Sequence, residues 1–363
     1  MEKNSNKENN NAILTEISET VPLLFQKSTE TSEIEDLYSY LYKDKPWVYD
    51  KSKDNLDELI QLYERSSVVS FTGAGASKPL GISDWEELMT NLWNKAKSNG
   101  FNNDFPKDSK EWPKLAQEIW EHLKNNEKKK IYFDTISQSM SPRNNTTTLT
   151  LIKLVLALDI HLTTNFDISI ENAYKFLDYL AQHFNKEEIR KKYQVYYLPD
   201  FQIIQGTEAQ GTIYYLHGGT TKSVYVLKEN DYDAFYPSVS GSSTTDPANY
   251  RLENLLRTFY KERTIVFLGF SFNDPYVRKF FFRLSKETAM DTKVAHQLYD
   301  QSGQPYEPQP VRHFLIIDAE ILEKRRDIVN VFEENNIYMI VYKTGQHIFL
   351  EKFFETLSKG KSI

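Results

Sequence analysis

Residues Val68 to Trp85 read VVSFTGAGASKPLGISDW. Val68–Phe71 is rich in strand-forming residues and runs directly into Thr72-Gly73-Ala74-Gly75-Ala76-Ser77. From Trp85 onward the apolar residues recur at helical spacing. A strand that ends in a glycine-rich turn and feeds a helix is a device for holding phosphate. Glycine lets the backbone approach the ligand, and a helix N-terminus offers unpaired N–H groups and a favourable dipole. The stretch marks the chain as a candidate nucleotide binder of the α/β class. It is not an ordinary dinucleotide fingerprint, because Lys78 stands where GxGxxG requires a third glycine.

Working outward, five further strands are expected at Ile160–Thr163, Ile213–Leu216, Ile265–Leu268, Phe314–Ile317 and Tyr338–Val341. Each is a short apolar or β-branched run without polar alternation, as expected for strands covered on both faces of a parallel sheet. Helical stretches separate them, so the expected fold is a doubly wound, Rossmann-like parallel sheet. The interval before Leu158 holds WEELMTNLWNKAK, WPKLAQEIWEHLK and TLTLIKLVLAL. That is too much helix for one crossover, which predicts a helical lobe within about residues 86–158. Residues 1–50 read as a polar, disordered tail and a helical arm that includes SEIEDLYSYLY; residues 51–363 read as the main domain, opening with a helix over Asn55–Arg65. Gly218–Asn249 reads as irregular, and Asp300–Pro310 as a loop by its Pro, Gln and Gly content.

Composition bounds the function. The 363 residues are 40% hydrophobic, with 23 Tyr and 22 Phe, enough for a sizeable core. A formal charge of −7 argues against a broad grip on nucleic acid, which needs clustered Lys and Arg. There is no cysteine, which removes disulfides, cysteine nucleophiles and any zinc ribbon. No apolar run approaches the length of a membrane span, and the first residues, MEKNSNKENNN, have no apolar signal core. The expectation is a cytoplasmic protein away from the membrane.

In an open α/β sheet, ligands sit beyond the carboxyl ends of the strands. Here those ends read TGAGAS, TTNFD (Thr163–Asp167), HGG (His217–Gly219), GFSFNDP (Gly269–Pro275) and Asp318. Small, polar and ionisable groups collect at one edge of an otherwise apolar sheet. Structural roles compete for several of them. Ser83-Asp84-Trp85-Glu86 has the form of a capping box. Asn165 or Asp167 could cap a helix over Ile168–Phe184, and Asp274-Pro275 is a good cap and first-turn pair. His217 precedes two glycines, so nothing bulky is expected to cover it, and a functional role is favoured.

GAGAS…GISDW, TTNFD, a strand ending in His-Gly, and GFSFND, in this order, resemble the sirtuin family of NAD-consuming enzymes over roughly Leu56 to Leu357. In that family the first motif is GAGxS followed by GIPDFR, and the third is a strand bearing a catalytic histidine. Two departures stand out. The family's deacylases carry a four-cysteine zinc ribbon, impossible here, and Pro-Asp-Phe-Arg becomes Ser83-Asp84-Trp85-Glu86. These changes look like the bacterial sirtuin-like branch of antiviral defence, which hydrolyses NAD instead of using it for deacylation.

The resemblance implies an NAD+ glycohydrolase giving nicotinamide and ADP-ribose, with NAD+ as substrate and no metal. By the same resemblance, Asn165 would position the ribose and the attacking water, and His217 would act as base. Asp167 would bind the nicotinamide amide, Gly73, Ala74, Gly75 and Ser77 would cradle the pyrophosphate, Gly269 and Ser271 would contact phosphate or ribose, and Asp84 would border the nicotinamide pocket. It also implies a homo-oligomer, or pairing with a DNA-translocating ATPase or an Argonaute-type protein. A non-catalytic NAD or ADP-ribose binding module and an NAD-dependent deacylase are the alternatives.

Overall fold

The computed structural model describes residues 31–65, 67–143, 146–201, 211–241, 246–302, 311–324 and 328–360. The tail expected over the first eleven residues lies outside them. The α/β architecture is as expected: a seven-stranded, all-parallel sheet with helices on both faces. Its strands are β1 (Val68–Thr72), β2 (Ile160–Thr163), β3 (Gln194–Tyr197), β4 (Thr212–Tyr215), β7 (Thr264–Leu268), β8 (His313–Asp318) and β9 (Ile337–Tyr342). The lateral order is β3-β4-β2-β1-β7-β8-β9. A short hairpin, β5 (Gly218–Gly219) with β6 (Val224–Tyr225), stands apart from it.

The order places the topological switch point between β1 and β7. From β1 the chain moves to one side through β2, then returns to lay β7 on the other. Loops leaving two adjacent strands in opposite directions open a crevice at their carboxyl ends. β1 itself shows why the sheet forms: all five residues are buried, Val69 and Phe71 packing into one apolar layer and Val68 into the other. Ser70 and Thr72 spend their hydroxyls on His161 and on the Leu162 carbonyl of the neighbouring strand.

Four expectations need correction. The strand β3 was not among those expected. It is an edge strand, half-buried, with only three consecutive apolar residues, and it is held by stacking of Tyr197 on Tyr215 at 4.7 Å and Tyr196 on Tyr214 at 5.3 Å. The interval Gly218–Asn249, expected to be irregular, contains the β5–β6 hairpin and the helices α8 (Glu229–Phe235) and α9 (Pro237–Ser240). The expected loop from Asp300 begins as helix, because α11 (Pro275–Ser302) runs through its first three residues. The rest of that segment, residues 303–310, lies outside the described residues. The capping box sits one residue later than expected, at Asp84 and Glu87. Both registers fit the pattern; the backbone N–H of Ser83 is drawn instead to the Ser139 carbonyl.

Helices α1 (Thr31–Ser39) and α2 (Pro46–Arg65) precede the sheet. Leu37 and Leu41 join the core, and Leu41 bridges to Tyr342 on edge strand β9. The helical stretch before β2 comprises α3 (Trp85–Lys97), α4 (Trp112–Asn125), α5 (Lys129–Ser139) and α6 (Leu149–Ala157). α7 (Ser169–Phe184) follows β2, α10 (Arg251–Glu262) precedes β7, α12 (Ala319–Lys324) and α13 (Ile328–Glu333) lie between β8 and β9, and α14 (Ile348–Gly360) ends the fold. α3, α4 and α5 pack on one another and hold Trp85 edge-to-face with Trp112 at 5.2 Å. No helix among the described residues is long and apolar enough to cross a membrane.

Candidate functional site

A cleft of about 750 Å³ opens at the carboxyl edge of the sheet, over the switch point. Of the residues expected at the site, Ala74, Gly75, Asp84, Asn165, Asp167, His217, Gly269 and Ser271 line it. Gly73 and Ser77 do not; both are buried beneath its floor.

The floor is made where the loops after β1 and β7 meet backbone to backbone. Gly73 N–H donates to the Leu268 carbonyl at 3.0 Å, and Gly75 N–H to the Gly269 carbonyl at 2.9 Å. A Cβ on Gly75 would stand 2.9 Å from Gly269, and Gly269 itself has φ +57°. These glycines are thus required first for the two loops to touch, and only then for a ligand to approach. In the β7 loop, Phe270 and Phe272 point into the aromatic core while Ser271 and Asn273 stay exposed. Phe272 holds φ +53° with its ring packed against Phe267 at 4.9 Å and Phe332 at 4.8 Å, so core packing fixes a backbone shape that a bulky residue rarely adopts.

Asn165 follows β2. Its Nδ2 donates to the Gly73 carbonyl and to Ser77 Oγ, both at 3.1 Å, which ties the β2 loop to the glycine loop. Ser77 Oγ in turn meets Ser169 Oγ at 3.0 Å. With Nδ2 committed, Oδ1 is the end of the amide without a protein partner among the described residues. Ile168, not Asn165 or Asp167, is the N-cap of α7, but Asp167 Oδ1 accepts the Ser169 N–H at 2.9 Å at the helix start. It also lines the cleft, and burial pushes its carboxyl above the usual carboxylate range. Asp84 combines roles in the same way. It closes the capping box of α3 and pairs with Lys78 at 2.7 Å, on the cleft wall. The lysine in place of the third glycine therefore contributes a cation beside the glycine loop.

His217 departs from expectation. It is 3% exposed, because α8 and the residue after it fold back over the strand end and cover the imidazole. Tyr232 and Tyr236 both meet its ring edge-on, with centroids 5.8 and 5.7 Å away. Nε2 lies 2.8 Å from the Tyr236 hydroxyl. Nδ1 has no partner among the described residues, and the histidine lines the cleft. Burial pushes the imidazole pKa down to about 3, so it is neutral near pH 7. The two tyrosines are site residues that the motif reading missed. A signal for them existed: they lie four apart in DYDAFY, which puts both on one helical face. Asp274 was expected to be a cap, and it is one, accepting the N–H groups of Tyr276 and Val277 at 2.9 and 3.0 Å. It also lines the cleft, accepts the Tyr232 hydroxyl at 2.6 Å, and is pushed up to about 6 by burial.

Chemically, the cleft combines two glycine loops at a switch point, an amide oxygen and a neutral imidazole nitrogen without partners among the described residues, and several buried carboxylates. Residues 159–340 match the model of the SIR2-like domain, a span that begins after the first glycine loop and contains the remaining motifs. A curated protein, "NAD(+) hydrolase ThsA" from Acinetobacter baumannii (strain 532279), is 26% identical over 226 residues. That match covers 62% of this chain and 40% of the relative's length.

Proposed function

This chain belongs to the SIR2-like family, and on that premise we propose that its cleft binds NAD+ and hydrolyses the nicotinamide–ribose bond to give nicotinamide and ADP-ribose. The observation that carries the proposal is the meeting of Asn165 and His217 on one cleft, each with one polar atom anchored and the other without a partner among the described residues. A relative that bears the name of an NAD(+) hydrolase supports the choice of substrate.

The bond breaks through an oxocarbenium-like state. Nicotinamide leaves as a neutral molecule from a ring nitrogen that is already cationic, so no general acid is required. What the protein must supply is a held ribose, a placed water and an acceptor for the proton. The Asn165 amide oxygen accepts from a ribose hydroxyl or from the water, its angle fixed by the Nδ2 anchors. His217 accepts from that water at Nδ1. With a pKa near 3 it is a weak base at rest. It takes the proton late, once the water has bonded to the cationic carbon and become strongly acidic. Asp167 receives the carboxamide of nicotinamide. Ala74, Gly75, Gly269 and Ser271 face the pyrophosphate, with Lys78 alongside and Asp84 at the nicotinamide end.

The same resemblance extends the proposal to antiviral defence by NAD+ depletion in the cytoplasm. Such an activity must be silent at rest, so control is assigned to self-assembly, to the N-terminal arm, or to a DNA-translocating ATPase or Argonaute-type partner. The test is chromatography of nicotinamide and ADP-ribose from NAD+ over a range of protein concentrations. Asn165→Ala should lower release at least about a hundredfold with an unchanged thermal melt. Full activity in that variant would sink the assignment. O-acyl-ADP-ribose formed only with an acylated peptide would make the protein a deacylase. Tight NAD+ binding without release at any concentration, with partner present, would make it a binding module.

A further inference from the structure

Three elements distant in sequence meet at one corner of the cleft. His217 lies two residues beyond β4, Tyr232 lies on α8, and Asp274 immediately precedes α11; all three line the cleft. The two oxygens of Asp274 have different tasks. Oδ1 takes the N–H groups of Tyr276 and Val277 and suffices as a helix cap. Oδ2 takes the Tyr232 hydroxyl at 2.6 Å, a contact that a cap does not need. The next residue but one, Tyr276, stacks on the Tyr232 ring at 4.3 Å and 15°. The start of α11 therefore grips Tyr232 at its hydroxyl and at its face. The same Tyr232 ring meets His217 at 5.8 Å and 88°.

The imidazole has one hydrogen-bonded anchor, the Tyr236 hydroxyl at Nε2. A ring tethered at Cγ and hydrogen-bonded only at Nε2 can still rock about the Cα–Cβ and Cβ–Cγ bonds, and that motion sweeps Nδ1. The edge-on wall of Tyr232 removes that freedom, and the wall stands where it does because Asp274 and Tyr276 hold it. We propose that Asp274 is a positioning residue for His217, acting through the hydroxyl and ring of Tyr232 to fix the direction of Nδ1 in the cleft. The proposal rests on the reading of His217 as the proton acceptor in NAD+ cleavage. The segment Gly269–Asp274 then has two tasks in one loop: its start forms the floor beneath the dinucleotide and its end aims the acceptor.

Asp274→Ser and Tyr232→Phe separate the roles. Serine caps a helix but is too short to reach the Tyr232 hydroxyl, and phenylalanine keeps the ring without the hydroxyl. Each variant should still fold and melt cooperatively, at a somewhat lower temperature because one buried hydrogen bond is lost, and should lower kcat for nicotinamide release roughly tenfold to a hundredfold, with KM within about twofold. The double variant should be no slower than the slower single one, because both remove the same contact. Multiplying losses, a raised KM with unchanged kcat, or undiminished kcat would each overturn the proposal. A second readout does not need turnover. The nitrogen-15 resonances of the His217 imidazole, assigned by their loss in His217→Gln, should shift in both variants, and unshifted resonances would overturn it. Wild-type protein that releases no nicotinamide would count against the proposed function, while the imidazole resonances still decide the positioning role.

Discussion

His161 and His217 belong to neighbouring strands, both are buried, and both touch a tyrosine hydroxyl, yet they are opposite cases. His161 lies within β2 at 0% exposure. Its Nδ1 meets Ser70 Oγ at 2.8 Å and its Nε2 meets Tyr174 OH at 2.9 Å. Ser–His–Tyr in a row has the components of a catalytic relay, but both nitrogens are occupied and His161 does not line the cleft, so it fastens β1, β2 and α7 together. Among the described residues the His217 ring has one hydrogen-bond partner, the Tyr236 hydroxyl at Nε2; it lines the cleft and keeps Nδ1 available. The neighbours' chemical types do not separate structure from chemistry here. An unsatisfied nitrogen at a cavity does.

Replacing each histidine by alanine gives the largest contrast. His217→Ala should lower nicotinamide release by about a hundred- to ten-thousandfold with a small change in melting temperature. His161→Ala should do the reverse, costing about 2–4 kcal/mol in denaturant unfolding through lost hydrogen bonds and a core cavity while folded protein keeps its kcat. Equal losses of turnover in the two would dissolve the distinction. The hydroxyl partners sharpen it. Tyr236→Phe leaves His217 Nε2 without a partner and should slow turnover about tenfold. Tyr174→Phe should cost roughly 1–3 kcal/mol of stability and leave kcat alone.

The smallest effect is in the pH dependence of stability. Burial holds His217 at about 3 in the native state, against about 6.5 in an unfolded chain. As pH falls below 6.5 the unfolded chain takes up the proton first. The stability present at neutral pH is therefore lost toward pH 3, by about 2 kcal/mol at pH 5 from this one group. His313, also buried and pushed down to about 3, adds a loss of the same sign. Asp274 acts in the other direction. Its folded value near 6 lies above the unfolded one, so the native state binds that proton first and recovers part of the loss below pH 6. His217→Gln should flatten the fall in Tm between pH 7 and pH 5; an unchanged slope would show that the imidazole is not desolvated.

Much of this was readable from the chain. Short apolar runs at β1, β2, β4, β7, β8 and β9 gave the parallel sheet, because strands covered on both faces must be apolar throughout. The motifs at their ends located the cleft, because a parallel sheet brings all carboxyl ends to one edge. The edge strand β3 escaped, since half-exposed QVYY lacks that signature. The cover over His217 escaped as well. It is made by Tyr232 and Tyr236, fifteen and nineteen residues beyond the histidine, and only the return of α8 over the strand end puts them on the ring.

The sequence by itself determined the α/β class, the order of the strands along the chain and the chemical types gathered at the strand ends, since each follows from local pattern. Only the tertiary structure decided which atoms were available. It showed that Gly73 and Gly75 spend their N–H groups on the end of β7 and the loop after it, that Asn165 is anchored by its nitrogen, that Asp274 divides its oxygens between a helix and a tyrosine, and that His217 rather than His161 keeps a nitrogen without a partner among the described residues. Residue type is set locally, but the satisfaction of a polar atom depends on what the rest of the chain brings within 3 Å of it.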